Sequence, residues 1–404
     1  MSDQTVYDEL GVPRVVNAAG TKTRIGGSRI RPEAVEAMGR AATEFVRLSD
    51  LQAKASEVIA DATGAEAGYV TCGADAGLLL AAAAALAGDD PGRMDQLPDT
   101  DGIPDEIIMP RTHRTGYDHA FRTAGATIVD VGTNDRVLGT GSTAVEPWEI
   151  EAAISERTAA IGYVQKPYTE PALSTVTEIA SAHDVPVIVD AAAELPPTEN
   201  LSRFIEEGAD LVVFSGGKAI RGPQTTGIVA GRSDLIESIA LQQLDMHAAE
   251  EVWQPPTSLV DGERLDGVPR QGIGRPLKVG KEELVGLLVA LESFLEADHD
   301  AARGRWRREA ERVTAALESV EGIDLTLDDD DVSVAPEVVV HVDTTAAACS
   351  ATQLVRTLRT ESPRVFVGAD RLDEDVVTIN PMCLTEAELD HVIARIRSSL
   401  TATQ

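Results

Sequence analysis

Lysine is scarce in this chain, which has only six, at positions 22, 54, 166, 218, 278 and 281 of 404 residues. The sequence also lacks an uninterrupted apolar run long enough to cross a bilayer, which argues against a membrane-spanning protein. Its start, "MSDQTVYDEL", has neither the charged region nor the apolar core of a secretory signal. These absences predict a soluble protein of the cytoplasm.

Cysteine is nearly absent as well. The three cysteines, Cys72, Cys349 and Cys383, are far apart in the chain, and no CxxC pair occurs. An odd number of isolated cysteines suggests neither a disulfide framework nor a zinc site. We therefore expect a reducing compartment and no bound metal.

Positive charge is in short supply. The chain has 67 acidic and 35 basic residues and a formal net charge of −32. Nucleic-acid binding relies on lysine and arginine to neutralise phosphates, so this balance disfavours a nucleic-acid partner. A dense carboxylate surface with little lysine suits concentrated salt, where screening weakens self-repulsion, and so predicts a halophilic source.

The order of apolar segments predicts an α/β fold. Short β-rich runs alternate with helical stretches, which is typical of a mostly parallel, doubly wound sheet. The runs are "AGYVT", "EIIMP", "ATIVDVG", "AAIGYVQ", "VPVIVDAAA", "ADLVVFS" and "TTGIVAG". We predict an N-terminal segment at 1–50, a large domain at 51–280 and a smaller α+β domain at 281–404.

A lysine and an aspartate follow two of these runs. Asp190 ends "VPVIVD", and Lys218 lies just beyond "ADLVVFS" in a glycine turn. Ligands of open α/β sheets bind at the carboxyl ends of the strands. A desolvated lysine there forms a Schiff base with an aldehyde, and a carboxylate can hold a pyridine nitrogen protonated. This pair predicts pyridoxal phosphate as the cofactor.

A third segment suits the cofactor's phosphate. "YVTCGADAGLLLAAAAAL" runs from a strand through a glycine turn into a helix, so the amides of Gly73, Ala74 and Asp75 would face an anion. Ser215 would add a hydroxyl. The charge of Asp75 is unfavourable beside a phosphate unless its side chain turns back to cap the helix.

His113 follows another strand, in "MPRTHRTGYDHAFRTAG". Its imidazole would stack on the cofactor ring or donate a proton to a leaving group. Each of these residues alone has an ordinary explanation, such as a helix cap or a solvated side chain. Their order along the chain, all at one sheet edge, is what favours a catalytic site.

The same segments resemble a known family. "NAAGTKTRIGGS", "LSDLQAKASEVIADATGAEAGYVTCGADAGL", "VDAAAELPP", "GADLVVFSGGKAIRGPQTTGIVAGR" and "GIGRPLKVGKEEL" are similar to fold-type I pyridoxal-phosphate enzymes of the selenocysteine synthase branch. The resemblance is strongest to its D-glucosaminate-6-phosphate ammonia-lyase-like members. It implies that Lys218 binds the cofactor aldehyde, Asp190 holds the ring nitrogen and His113 lies over the ring.

The resemblance implies a lyase that eliminates water from a hydroxy- or sugar-type amino acid and releases ammonia and a 2-oxo acid. A selenocysteine synthase-like seryl transferase, a class V-like aminotransferase and a racemase remain open, because all share the same cofactor chemistry. A non-catalytic scaffold on the same fold is the alternative from another class.

The substrate of such a lyase is expected to carry an anionic group. Arg275 and Lys278, with Lys281, are candidate contacts in "IGRPLKVGKEE", and Arg24 and Arg364 are further candidates for a carboxylate or a sugar phosphate. The family also implies a homodimer or a larger homo-oligomer with its site at a subunit contact.

Overall fold

The computed structural model describes residues 5–135, 143–245, 249–262, 264–265, 270–330, 334–360 and 362–401. Its helices are α1 (Val6–Glu9), α2 (Pro32–Ala42), α3 (Leu48–Thr63), α4 (Ala74–Ala87), α5 (Pro91–Gln96), α6 (His119–Thr123), α7 (Pro147–Ala153), α8 (Leu173–Ala182), α9 (Asn200–Glu206), α10 (Ser233–Gln243), α11 (Lys281–Leu295), α12 (His299–Leu317), α13 (Ala351–Leu358) and α14 (Glu386–Thr401). Its strands are β1 (Val15–Ala18), β2 (Ala67–Thr71), β3 (Glu106–Pro110), β4 (Thr127–Val131), β5 (Thr133–Asn134), β6 (Thr143–Ala144), β7 (Thr158–Val164), β8 (Val187–Asp190), β9 (Leu211–Ser215), β10 (Gly227–Gly231), β11 (Ile323–Asp328), β12 (Glu337–Val342), β13 (Arg364–Arg371) and β14 (Val376–Ile379).

The chain divides into two compact units. The larger unit is Ile30–Glu296, and the smaller combines Met1–Arg29 with Ala297–Gln404. The predicted boundaries after residues 50 and 280 differ from this division. The reason is that α11 packs against α2 within the larger unit, whereas β1 pairs with β13 in the smaller one.

The larger unit is built on a seven-stranded sheet with the order β2-β10-β9-β8-β7-β3-β4. All pairs are parallel except those of β10, which runs antiparallel to both β2 and β9. Alternate residues of the strands enter two apolar clusters, one packed under α4 and α10 and the other under α3, α8 and α11. The predicted mostly parallel, doubly wound sheet is confirmed.

Helix α4 is apolar on every side, and from Ala76 to Ala84 every residue is buried. Such a helix must be covered all round. Gly77 lets it approach the sheet closely, because a Cβ at that position would lie 2.9 Å from Cγ1 of Val213. The N-terminus of α4 is thereby fixed at the end of β2, where the phosphate site is predicted.

The smaller unit has a five-stranded sheet with the order β1-β13-β14-β12-β11, in which only the β1–β13 pair is parallel. Residues of α12, α13 and α14 form its core with the strands. None of the helices in the described part of the chain is long and apolar enough to span a membrane.

Candidate functional site

The predicted site residues of the larger unit are brought to one edge of its sheet. We call it the carboxyl edge, where β2, β3, β7, β8 and β9 end and the antiparallel β10 begins. Gly227 pairs with Thr71 on one side and with Ser215 on the other. Asp190 pairs with Val213, so it lies two residues deeper in the sheet than Ser215. The register therefore places the aspartate below the level of the phosphate residues.

The turn between β2 and α4 forms an anion cradle. Gly73 has φ +92° and caps α4, and no side chain caps this helix. A Cβ at Gly227 would lie 2.5 Å from the carbonyl carbon of Gly73 and 2.6 Å from the nitrogen of Ala74, so only glycine permits this packing. The first-turn N–H groups and the helix dipole favour a bound anion. The cradle fits the phosphate of the predicted cofactor.

Asp75 is the exception within the cradle. A cap formed by this side chain would have turned its charge away from the phosphate, but the side chain does not cap α4. Partial burial raises the pKa of Asp75, while the nearby His119 lowers it. A raised pKa reduces the cost of this carboxyl near an anion because its neutral form is favoured. The role of Asp75 in phosphate binding stays a prediction.

Lys218 lies in a tight turn that follows β9. The N–H of Gly216 donates to the carbonyl of Thr226 at 2.9 Å, and the N–H of Arg221 donates to the carbonyl of Lys218 at 3.2 Å. A Cβ at Gly217 would lie 2.5 Å from Cα of Gln224. The glycines of "SGGK" are thus required because the segment from Gln224 to Thr226 packs closely against them. The turn leaves Lys218 half-buried at the carboxyl edge.

Asp190 is held from one side and influenced by several charges. Its Oδ1 accepts the N–H of Ala192 at 3.0 Å. Burial raises the pKa of Asp190, and the hydrogen bond from Ala192 opposes this rise, as do the charges of Lys218 and Lys166, while Asp75 adds to it. Lys218 and Asp190 therefore lie within electrostatic reach of each other. A carboxylate with this support suits a protonated ring nitrogen.

His113 is buried, and both of its ring nitrogens contact the backbone. Nδ1 accepts the N–H of Val164 at 3.4 Å, and Nε2 lies 3.2 Å from the carbonyl oxygen of Glu170. Burial lowers its pKa to about 4, so the ring is neutral at pH 7. Its edge meets Tyr163 at a centroid distance of 4.7 Å. These contacts favour the predicted stacking role over proton donation, because each nitrogen already has a partner.

Sequence reasoning missed two charged residues at the same edge. Lys166 follows β7, and its Nζ lies 2.7 Å from Oε1 of Glu194, whose side chain is 8% exposed. Glu194 follows Asp190 in "VDAAAELPP", and its backbone carbonyl accepts the Nδ2 group of Asn200 at 2.6 Å. Two features of the sequence could have indicated Lys166 as a site residue: lysine is scarce in this chain, and Lys166 follows the end of a predicted strand.

A second group of predicted residues lines a cavity of about 220 Å³. Arg275 and Lys278 both line it, and Arg275 pairs with Asp245 at 3.3 Å. The Nε of Arg275 is buried and has no hydrogen-bond partner among the described residues. Gln52, also in the lining, bonds both backbone groups of Val70 on β2. The cavity is therefore beside β2, close to the phosphate turn.

The other predicted anion contacts lie elsewhere. Nζ of Lys281 donates to the carbonyl of Ala42 at 3.1 Å and is thereby engaged with the end of α2. Arg24 and Arg364 belong to the smaller unit, where both are exposed. Arg364 begins β13 opposite the start of β1, whereas Arg24 follows the end of β1. The structure does not bring these two arginines together.

Comparison with known proteins agrees with this geometry. The family described as L-seryl-tRNA selenium transferase matches residues 118–248. D-glucosaminate-6-phosphate ammonia lyase of Salmonella typhimurium is 31% identical, over 97% of each chain. A 5'-C-glycyluridine monooxygenase-decarboxylase of a Streptomyces species is 30% identical, over 98% of this chain and 92% of the relative.

Solved structures give the same result. A structure of D-glucosaminate-6-phosphate ammonia-lyase covers 99% of both chains with a TM-score of 0.81 and 30% identity. A cysteine desulfurase of Escherichia coli covers 95% of this chain with a TM-score of 0.57 and 17% identity, which supports the fold alone. The chain therefore belongs to the family of fold-type I pyridoxal-phosphate enzymes that contains D-glucosaminate-6-phosphate ammonia lyase and the selenocysteine synthases.

Proposed function

We propose that this protein is a pyridoxal-phosphate-dependent ammonia lyase acting on a hydroxy- or sugar-type amino acid. The similarity of the whole chain to D-glucosaminate-6-phosphate ammonia lyase, with Lys218 and Asp190 at one sheet edge, is the observation that carries the proposal. The overall reaction expels the β-hydroxyl as water. Hydrolysis of the resulting enamine consumes one water and yields a 2-oxo acid and ammonia.

When bound, pyridoxal phosphate supplies the electron sink that makes the α-proton acidic. Lys218 would hold the cofactor by its aldehyde, and its free amine would be the base for the α-proton of the substrate. The carboxylate of Asp190 would keep the ring nitrogen protonated. The cradle at Gly73 binds the phosphate, aided by the hydroxyl of Ser215 and, despite its charge, by the backbone of Asp75. His113 provides a flat, neutral face for the ring.

Arg275 and Lys278 would bind the anionic part of the substrate. Both face the cavity beside β2, and the unpartnered Nε of Arg275 can donate to a carboxylate or phosphate oxygen. D-glucosaminate 6-phosphate, the compound named for the relative, is accordingly the first substrate to test. Arg24 and Arg364 lie apart in the smaller unit, and each stays a separate sequence-based candidate for an anion contact.

A homo-oligomer is proposed from the surface beside this cavity. Phe45 is fully exposed, Val46 is 48% exposed, and Leu48, which lines the cavity, is 39% exposed. An exposed apolar patch next to a site is typical of a protein contact. Light scattering of the purified protein would give a mass of at least two chains, and a mass of one chain would refute this.

A halophilic, cytoplasmic protein is proposed from composition. The net charge of −32 and the absence of a disulfide among the three described cysteines support it. The melting temperature should rise steeply between 0.1 and 2 M KCl, because salt screens the self-repulsion of the carboxylates. An equal rise with a neutral osmolyte in place of KCl would contradict this explanation.

A product assay separates the proposed reaction from two others: the monooxygenase-decarboxylase reaction named for one relative and the aminotransferase reaction left open by the sequence. We would incubate the enzyme and its cofactor with D- and L-hydroxy-amino acids and amino-sugar acids, with and without phosphate. Equal amounts of 2-oxo acid and ammonia without oxygen uptake would support the lyase. Oxygen uptake with release of CO₂ would instead indicate a monooxygenase-decarboxylase, and amino transfer to an added 2-oxo acid would indicate an aminotransferase. Lys218→Ala serves as the inactive control.

A further inference from the structure

The Lys166–Glu194 pair has no part in the proposed function so far, yet the chain segment that carries Lys166 pairs with the strand that ends at Asp190. Strands β7 and β8 pair so that Val164 is opposite Asp190, and the N–H of Gln165 donates to the carbonyl of Asp190 at 2.9 Å. Lys166 follows Gln165 and lies two residues beyond the end of β7. The register of the two strands thus brings the chain segment of this lysine close to the aspartate at the carboxyl edge.

The backbone around Lys166 is fixed by several contacts. Its carbonyl accepts the Nε2 group of Gln165 at 3.0 Å and the N–H of Thr169 at 3.1 Å. Its Nζ lies 2.7 Å from Oε1 of Glu194, and the Lys166 side chain is only 34% exposed. A buried carboxylate at this distance holds the ammonium group in one place.

We propose that Lys166, fixed by Glu194, is a positioning residue that keeps the Asp190 carboxylate ionised and so strengthens its interaction with the nitrogen of the cofactor ring. The inference rests on the proposed function, because it assumes that pyridoxal phosphate binds at Lys218. Lys166 acts through Asp190 and has no assigned contact with the substrate.

The charges around Asp190 explain why a second lysine is needed. Burial and the charge of Asp75 oppose the ionised form of Asp190, whereas the N–H of Ala192 and the charges of Lys218 and Lys166 favour it. Lys218 must lose its proton to attack an aldehyde or to take the α-proton, and at that stage it no longer offers a positive charge. Lys166 does not react, so its charge supports Asp190 throughout the reaction.

A pair of cofactors separates this role from a merely structural one. Pyridoxal phosphate and its deaza analogue, which has a carbon in place of the ring nitrogen, share the aldehyde and the phosphate. Only the former can use the Asp190 charge. Titration of the apoprotein with each compound, followed by absorbance, gives two values of Kd, and their ratio measures the contribution of the ring nitrogen.

We expect K166M to lose a severalfold part of the preference for pyridoxal phosphate, because removal of the lysine charge favours the neutral form of Asp190. K166R keeps the charge and should keep the ratio. Lys54 pairs with Glu57 at the same 2.7 Å but is 64% exposed, so K54M is the matched control without effect. If K166M does not fold, K166Q replaces it in the comparison.

Two results would overturn the inference. If K166M weakened the binding of both compounds equally, the Lys166–Glu194 pair would only hold the loops in place. An unchanged ratio would show that Asp190 is insensitive to Lys166. Wild-type protein that binds neither compound would refute the proposed function itself, whereas a wild-type preference that K166M retains would refute the inference alone.

Discussion

Replacement of Asp190 by asparagine tests the electron-sink arrangement. Asparagine preserves the shape and the acceptor for the N–H of Ala192, which lies at 3.0 Å from Oδ1. The asparagine side chain would nevertheless present either its NH2 group or its uncharged oxygen to the ring nitrogen, in place of a charged carboxylate oxygen. The loss of a hydrogen bond to a charged group is worth about 1.5–3 kcal/mol, or about a 10- to 150-fold loss of cofactor affinity.

The stability of the apoprotein should change in the opposite direction. Burial raises the pKa of Asp190, so its ionised form opposes folding at every pH above the unfolded value of about 4. Asp190→Asn removes that cost, and the cofactor-free variant should unfold at an equal or higher temperature at pH 7. The assays are cofactor titration, turnover at saturating cofactor, and thermal unfolding of the apoprotein. Full turnover, or joint loss of turnover and apoprotein stability, would refute the reasoning.

Three further predictions concern the surroundings of the site. Gly227→Ala should weaken cofactor binding at least tenfold, since its Cβ would lie 2.5 Å from the backbone of Gly73. Gly39→Ala, with open space around it, is the control. Equal cofactor titration curves for the two variants would contradict phosphate binding by the cradle. Arg275→Gln should raise KM for an anionic substrate about tenfold with little change in kcat, whereas the exposed Arg203→Gln should not. The pKa of His113 is lowered to about 4, so its contribution to stability is complete above its unfolded value of about 6.5 and is lost as the pH falls through 4.

The His113 prediction is measured by chemical unfolding of the apoprotein between pH 7 and pH 4. Wild-type protein should lose up to about 3 kcal/mol more over this range than His113→Gln, because the unfolded chain binds a proton that the buried ring refuses. Parallel curves for the two proteins would show that His113 is accessible to protons in the folded state.

The strands of the larger unit were predictable because buried parallel strands are nearly continuous apolar runs. "EIIMP" and "ADLVVFS" coincide with β3 and β9 to within two residues. The direction of β10 was not predictable, since an apolar run carries no information on the orientation of its neighbours. The placement of β1 in the smaller unit depends on its pairing with β13, which is far away in the sequence.

The site was predictable where residue type alone indicates the chemistry. Lys218, Asp190 and the glycine turn at Gly73 follow from the demands of an aldehyde, a pyridine nitrogen and a phosphate. The Lys166–Glu194 pair was missed because it forms only when β7 and β8 pair in one register. The contacts of both His113 nitrogens with backbone atoms depend on the same packing.

The central claim is that Lys218 carries the cofactor, and borohydride reduction tests it most directly. Reduction of the purified enzyme with its cofactor fixes the imine as a stable secondary amine, which peptide mass spectrometry then locates. We predict the added mass on the peptide that contains Lys218 and on none of the other five lysines. Added mass on Lys166, or no added mass after a visible absorbance band is lost, would contradict the account.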